Sequence, residues 1–135
     1  MEYYDSHDPI LTHIIRTLSQ NPGAGLTITL HVNGMTICGF LIGGKEYTDL
    51  LGDVVVDNMH DADAAATWRD FLAKVGDSIL EAANSNDTPF NPEYLHLKDA
   101  YYLNGDGWHP DNGILWRGKI AEINGWSFGA WRPNE

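Results

Sequence analysis

The chain has 135 residues and a mass of 15.0 kDa, with 43% hydrophobic and 20% charged residues, which fits one domain with a core of its own. Its 19 acids against 8 bases leave a net charge of −11, which opposes both the clustered basic surface that nucleic acid requires and an anionic membrane surface. Cys38 is the sole cysteine, so an internal disulfide and a thiolate zinc cage are excluded.

The start, Met1-Glu2-Tyr3-Tyr4-Asp5, has neither the basic nor the apolar region of a signal peptide, and no apolar run approaches the roughly 20 residues of a membrane span. A cytoplasmic protein is expected. Asp8-Pro9 then supplies an N-cap and a first helical residue, and Ile10, Leu11, Ile14, Ile15 and Leu18 follow on one stripe. A helix is predicted over 9–20, ended by Asn21-Pro22-Gly23. Leu26, Ile28, Leu30 and Val32 alternate with polar residues, and Asn33-Gly34 leads into a second apolar run to Ile42. This predicts a hairpin over 26–42 on a two-residue turn of type I′, pairing Val32 with Met35, Leu30 with Ile37 and Ile28 with Gly39.

A helical insertion is predicted over 46–83. Tyr47, Leu50, Leu51, Val54 and Val55 recur at helical spacing, although Gly52 and the β-branched run Val54-Val55-Val56 predict early fraying. Trp68, Phe71, Leu72, Val75, Ile79 and Ala82 or Ala83 form the stripe of a further helix. The C-terminal segment over 94–131 reads as three strands. One spans Leu95–Leu103, and a final hairpin is predicted from Ile114–Ile123 through the turn Asn124-Gly125 to Trp126–Trp131. Helices and strands occur in separate runs, so the expected architecture is α+β: one domain over 1–135, with an antiparallel sheet of about five strands able to curl into an open SH3-like or Sm-like barrel.

His60-Asp61-Ala62-Asp63 and His109-Pro110-Asp111 offer imidazole and carboxylate, the donors a transition metal takes, but neither repeats a known ligand spacing. Cys38 lacks a base directly opposite it and a third orienting group, so it reads as a small packed hydrophobe. Gly43-Gly44-Lys45 is too short for a phosphate loop. No catalytic residue, metal ligand or cofactor is assigned. The acidic residues of 46–63 form either a solvated helix face or a dock for a basic partner. The predicted final hairpin carries large apolar residues on both faces, which points to an interaction surface comprising Trp108, Trp116, Arg117, Lys119, Ile123 and Trp131.

The segment Tyr94-Leu95-His96-Leu97-Lys98-Asp99-Ala100, with Leu115-Trp116-Arg117-Gly118-Lys119-Ile120-Ala121-Glu122-Ile123-Asn124-Gly125, resembles the gas vesicle accessory protein U (GvpU) family. Leu30-His31-Val32-Asn33-Gly34 and Lys45-Glu46-Tyr47 are similar to it as well, so the likeness covers 94–129 and extends over 26–51. The resemblance implies a cytoplasmic, non-enzymatic accessory protein of gas-filled protein shells, acting in assembly or clustering. Its implied partners are further copies of itself, as a homodimer or larger, and shell or other accessory proteins. Two other classes remain open: a small metal-dependent enzyme with a His/Asp loop site, and an Sm-like nucleic-acid module using Arg117, Lys119 and Arg132.

Overall fold

The computed structural model describes residues 8–130. The order is α1 (Pro9–Gln20), β1 (Gly25–Val32), β2 (Met35–Ile42), α2 (Gly44–Asn58), α3 (Ala62–Asn84), β3 (Tyr94–Asn104), β4 (Gly107–Lys119), a 3-10 turn (Ile120–Glu122) and β5 (Ile123–Phe128). The five strands form one antiparallel sheet in the order β4-β3-β2-β1-β5, which is the expected α+β class. The sheet is open, with β4 at one edge and β5 at the other.

Asp8 caps α1, its carboxylate accepting from the backbone N–H of Ile10 and Leu11. Leu11, Ile15 and Leu18 on the helix then bury against Ile28 and Leu30 of β1, Ile37 and Leu41 of β2, and Leu95, Leu97 and Ala100 of β3. Each such aliphatic side chain contributes about 1.5–3 kcal/mol by leaving water, so this cluster holds the helix to the sheet. The first hairpin has the predicted register, Val32 with Met35, Leu30 with Ile37 and Ile28 with Gly39. Its turn takes positive φ at both Asn33 (50°) and Gly34 (84°), as type I′ requires.

The helical insertion differs from expectation in two ways. Helix α2 does not fray at Gly52 but continues to Asn58. Gly52 is buried with the Arg69 side chain lying over it, and Gly76 of α3 lies against Thr48 and Lys45, so these glycines let two helices approach closely. The buried line of α3 is Ala65, Leu72, Gly76 and Ala83. Trp68 and Phe71, expected in the core stripe, are 50% and 54% exposed and form an edge-to-face pair on the surface. Small residues take the helix contact, and the large rings are turned out of it.

The C-terminal segment departs furthest. Asn124-Gly125 is not a turn, and Ile123 pairs with neither Trp126 nor any β4 residue. The chain has already reversed at Gly105-Asp106, so that β3 and β4 form the hairpin, with Leu103 opposite Trp108 and His96 opposite Arg117. The 3-10 turn, anchored by Ile120 N–H donating to Glu93 O at 2.9 Å, carries the chain away from β4. Strand β5 then pairs with β1, placing Trp126 opposite Leu30 and Phe128 opposite Ile28. Asn124 is the extra residue where the register shifts between His31 and Val32, so this Asn-Gly serves a bulge.

Candidate interaction surface

The predicted surface residues part company in this topology. Trp116 packs, half-buried, on the core, and its ring lies against Gly118, where any side chain would collide with it. Ile123 also packs on the core, at the start of the opposite edge strand from Arg117 and Lys119. Trp108 is half-buried on β4 near the hairpin turn. Arg117 and Lys119 are exposed at the far end of β4. Trp131 lies outside the described residues. The six therefore do not form one two-faced hairpin.

Other residues are presented in their place. Ile114 on β4 and Phe128 on β5, the latter 63% exposed, put large apolar side chains on the two edge strands. Trp68, Phe71 and the exposed Val54 lie on the helical pair α2–α3. The ends of the stripe at Trp68 and Phe71 were visible in the sequence, but their exposure was not, because helical spacing alone does not rank a glycine above a tryptophan as the contact residue.

The acidic residues of 46–63 are largely engaged within the molecule. Glu46, half-buried, takes the Lys98 ammonium at 2.7 Å and the Gly23 N–H at 3.2 Å. Lys45 donates to Asp77 at 3.0 Å and to Asp49 at 3.3 Å, and the bond to Asp77 above all, against burial and with help from Asp49, raises the Lys45 pKa. Asp53 pairs with Arg69, joining α2 to α3. Asp61 caps α3, accepting from Asp63 N–H and Ala64 N–H. His109 bonds to Asp106 at 3.3 Å. Among the described residues, no three His, Cys, Asp or Glu side chains converge as a metal set would. Cys38 is buried opposite Thr29.

One polar group that sequence reading did not single out is His96. It is 7% exposed, lies against the Tyr47 ring with centroids 4.4 Å apart, and accepts a hydrogen bond at Nε2 from Arg117 Nε at 3.3 Å. Burial, and then the Arg117 charge, hold its pKa at about 4, so the ring is neutral at pH 7. The Arg117 guanidinium lies 3.7 Å over the Tyr94 ring. Burial raises the Tyr47 pKa, with Arg117 acting against it.

With this sheet and these surfaces in place, the comparisons define the family. The profile of the GvpU-like family, described as gas vesicle protein GvpU-like, matches residues 8–131, nearly the whole chain, and the protein belongs to that family. No curated protein and no solved structure matches the chain. No helix among the described residues is long and apolar enough to cross a membrane.

Proposed function

We propose that this chain is a cytoplasmic, non-enzymatic accessory protein of gas vesicles, acting in assembly or clustering through self-association and contact with shell or other accessory proteins. The observation that carries this reading is the open sheet. Both edge strands, β4 and β5, lack a strand neighbour on their outer side among the described residues, and each presents a large apolar side chain, Ile114 or Phe128. Such edges are ready templates for pairing with another chain. The Trp68–Phe71 pair on α3 gives a separate apolar surface for a different partner. The reading takes no cofactor or metal, and the charge of −11 weighs against nucleic acid and anionic membranes as partners.

Vesicle contact is testable by buoyancy, since gas-filled shells float. Purified vesicles mixed with the protein and spun gently should carry it to the surface, and Trp68→Ser with Phe71→Ser should leave more of it below. Protein that stays wholly in the subnatant, with vesicles no more clustered than without it, contradicts the proposal.

A further inference from the structure

A cleft of about 390 Å³ opens between the C-terminal part of α3, the end of α1 and the loop leading into β3. Ile79, Ala82, Phe90 and Tyr94 supply apolar wall, and His96 and Arg117 stand in it as well. The volume lies within the range of small-ligand sites, which are mostly apolar with a few placed polar groups. The polar groups here are held in position. Arg117 is fixed on one side by the Tyr94 face and through Nε by His96, so its two terminal nitrogens are left for a ligand. No carboxylate among the described residues pairs with this guanidinium. Because Arg Nε can only donate, His96 Nε2 carries no proton, and the neutral ring keeps its N–H at Nδ1.

The first residue of α2, Gly44, belongs to the same wall; that helix start has no side-chain cap, and Glu46 in its first turn, paired with Lys98, offsets part of its positive end. Among the described residues, Glu93 is the one carboxylate along the wall; it is exposed and its backbone oxygen is occupied by Ile120 N–H. Even in a strongly acidic chain, the cleft thus presents an oriented cation, unpaired with any carboxylate among the described residues, beside apolar walls.

We propose that this cleft binds an organic carboxylate with an apolar body, the carboxylate on the Arg117 terminal nitrogens and the body against Ile79, Ala82 and Phe90. A fork of two donors suits a carboxylate bidentately, and the stacked guanidinium loses little freedom on binding. Arg117 stands on the edge strand β4, so the titration is run at low salt, where the charge of −11 opposes self-association and keeps the two tests separate.

The test is an NMR titration of the full chain, observing the Arg117 Nε–H and the amides of Ile79, Ala82 and Phe90. The probes are 4-phenylbutyrate, its neutral amide, acetate, inorganic phosphate, and an end-blocked peptide with Asp beside Leu. The acid should shift all these signals and bind at least tenfold more tightly than its amide or acetate. Arg117→Gln should weaken it by about ten- to hundredfold, the loss of a charge-assisted pair. Ala82→Phe should fill the cleft and abolish binding in a protein whose melting temperature is retained. Tighter binding of the peptide supports the site with a protein-borne carboxylate, and binding of the free acid alone supports it with a small molecule. Equal binding of acid and amide, phosphate or acetate binding as tightly as the acid, or no shift with any probe would overturn it.

Discussion

Two Asn-Gly pairs sit between apolar residues in this chain, and they end in opposite conformations. Asn33-Gly34 turns β1 into β2 with positive φ at both residues, while Asn124-Gly125 lies extended within β5. The local chemistry is the same, so it cannot be what decides. The flanking strands decide. Residues 26–32 and 35–41 carry matched apolar faces that meet only if the chain reverses between them. Strand β4 is already paired with β3, which leaves 123–128 to seek the free edge of β1. The two pairs are also in contact: Asn124 Oδ1 accepts from Asn33 N–H at 2.7 Å, and Glu122 accepts from the Asn33 amide at 3.0 Å. The second Asn-Gly thus braces the first.

The largest expected effect falls where β4 meets β3, because His96 is buried there, with Arg117 set beside it. A folded-state pKa of about 4, against an ordinary 6.5, means that the unfolded chain takes up the proton first. Stability from this group is therefore complete above pH 6.5 and falls as pH drops towards 4, by on the order of 3 kcal/mol. Denaturant melts across this window should show a steeper decline for the native chain than for His96→Gln. Parallel slopes would mean that the ring is not buried neutral.

Valine scanning of glycines sharpens the comparison directly. Gly34→Val forces a β-branched residue to φ near 84° and should cost about 2 kcal/mol. Gly107→Val, at φ 149° beside the β3–β4 turn, should cost about 1 kcal/mol. Gly125→Val should change stability by less than about 0.5 kcal/mol, since the strand tolerates valine and a Cβ there meets only the edge of His31 at 3.8 Å. Sequence reasoning puts Gly125 above Gly107 in this ranking, and the observed topology reverses the order. Thermal melts of the three variants decide between them.

Asp8→Ala tests what holds β5 in place. Asp8 caps α1 and also accepts the Trp126 indole N–H at 2.8 Å, and this bond is the main cause of its lowered pKa. Its carboxylate stabilises the fold above the unfolded pKa, and that contribution disappears as pH falls through the lower folded value. The substitution should cost about 1–2 kcal/mol at neutral pH, and less in acid. Asp8→Asn should recover part of the cap.

The readable parts of the fold are those whose partners are close in sequence. Helix α1 announces its cap, stripe and stop within a few residues, and the β1–β2 register follows from one turn. The C-terminal topology is not readable this way, because the partner of β5 lies at the other end of the chain. The His96–Arg117 contact was hidden for a related reason. Asn104-Gly105-Asp106-Gly107 is polar and glycine-rich, as a turn requires, but register shifts near Ala100 stop a count outward from it reaching the right pair. In the candidate surface, Arg117 and Lys119 are exposed, whereas Trp116 and Ile123 pack on the core, because the 3-10 turn separates residues that a tight hairpin would have placed together.

The central claim is that the two open edges associate, and sedimentation velocity over a salt series tests it most directly. Like-charge repulsion at −11 opposes assembly at low salt, and screening shortens its reach to about 8 Å near physiological ionic strength. The protein should therefore sediment as larger species as salt rises, and Ile114→Asn with Phe128→Ser should return it towards monomer at the same salt. A chain that remains monomeric at every salt and concentration contradicts edge-driven self-association.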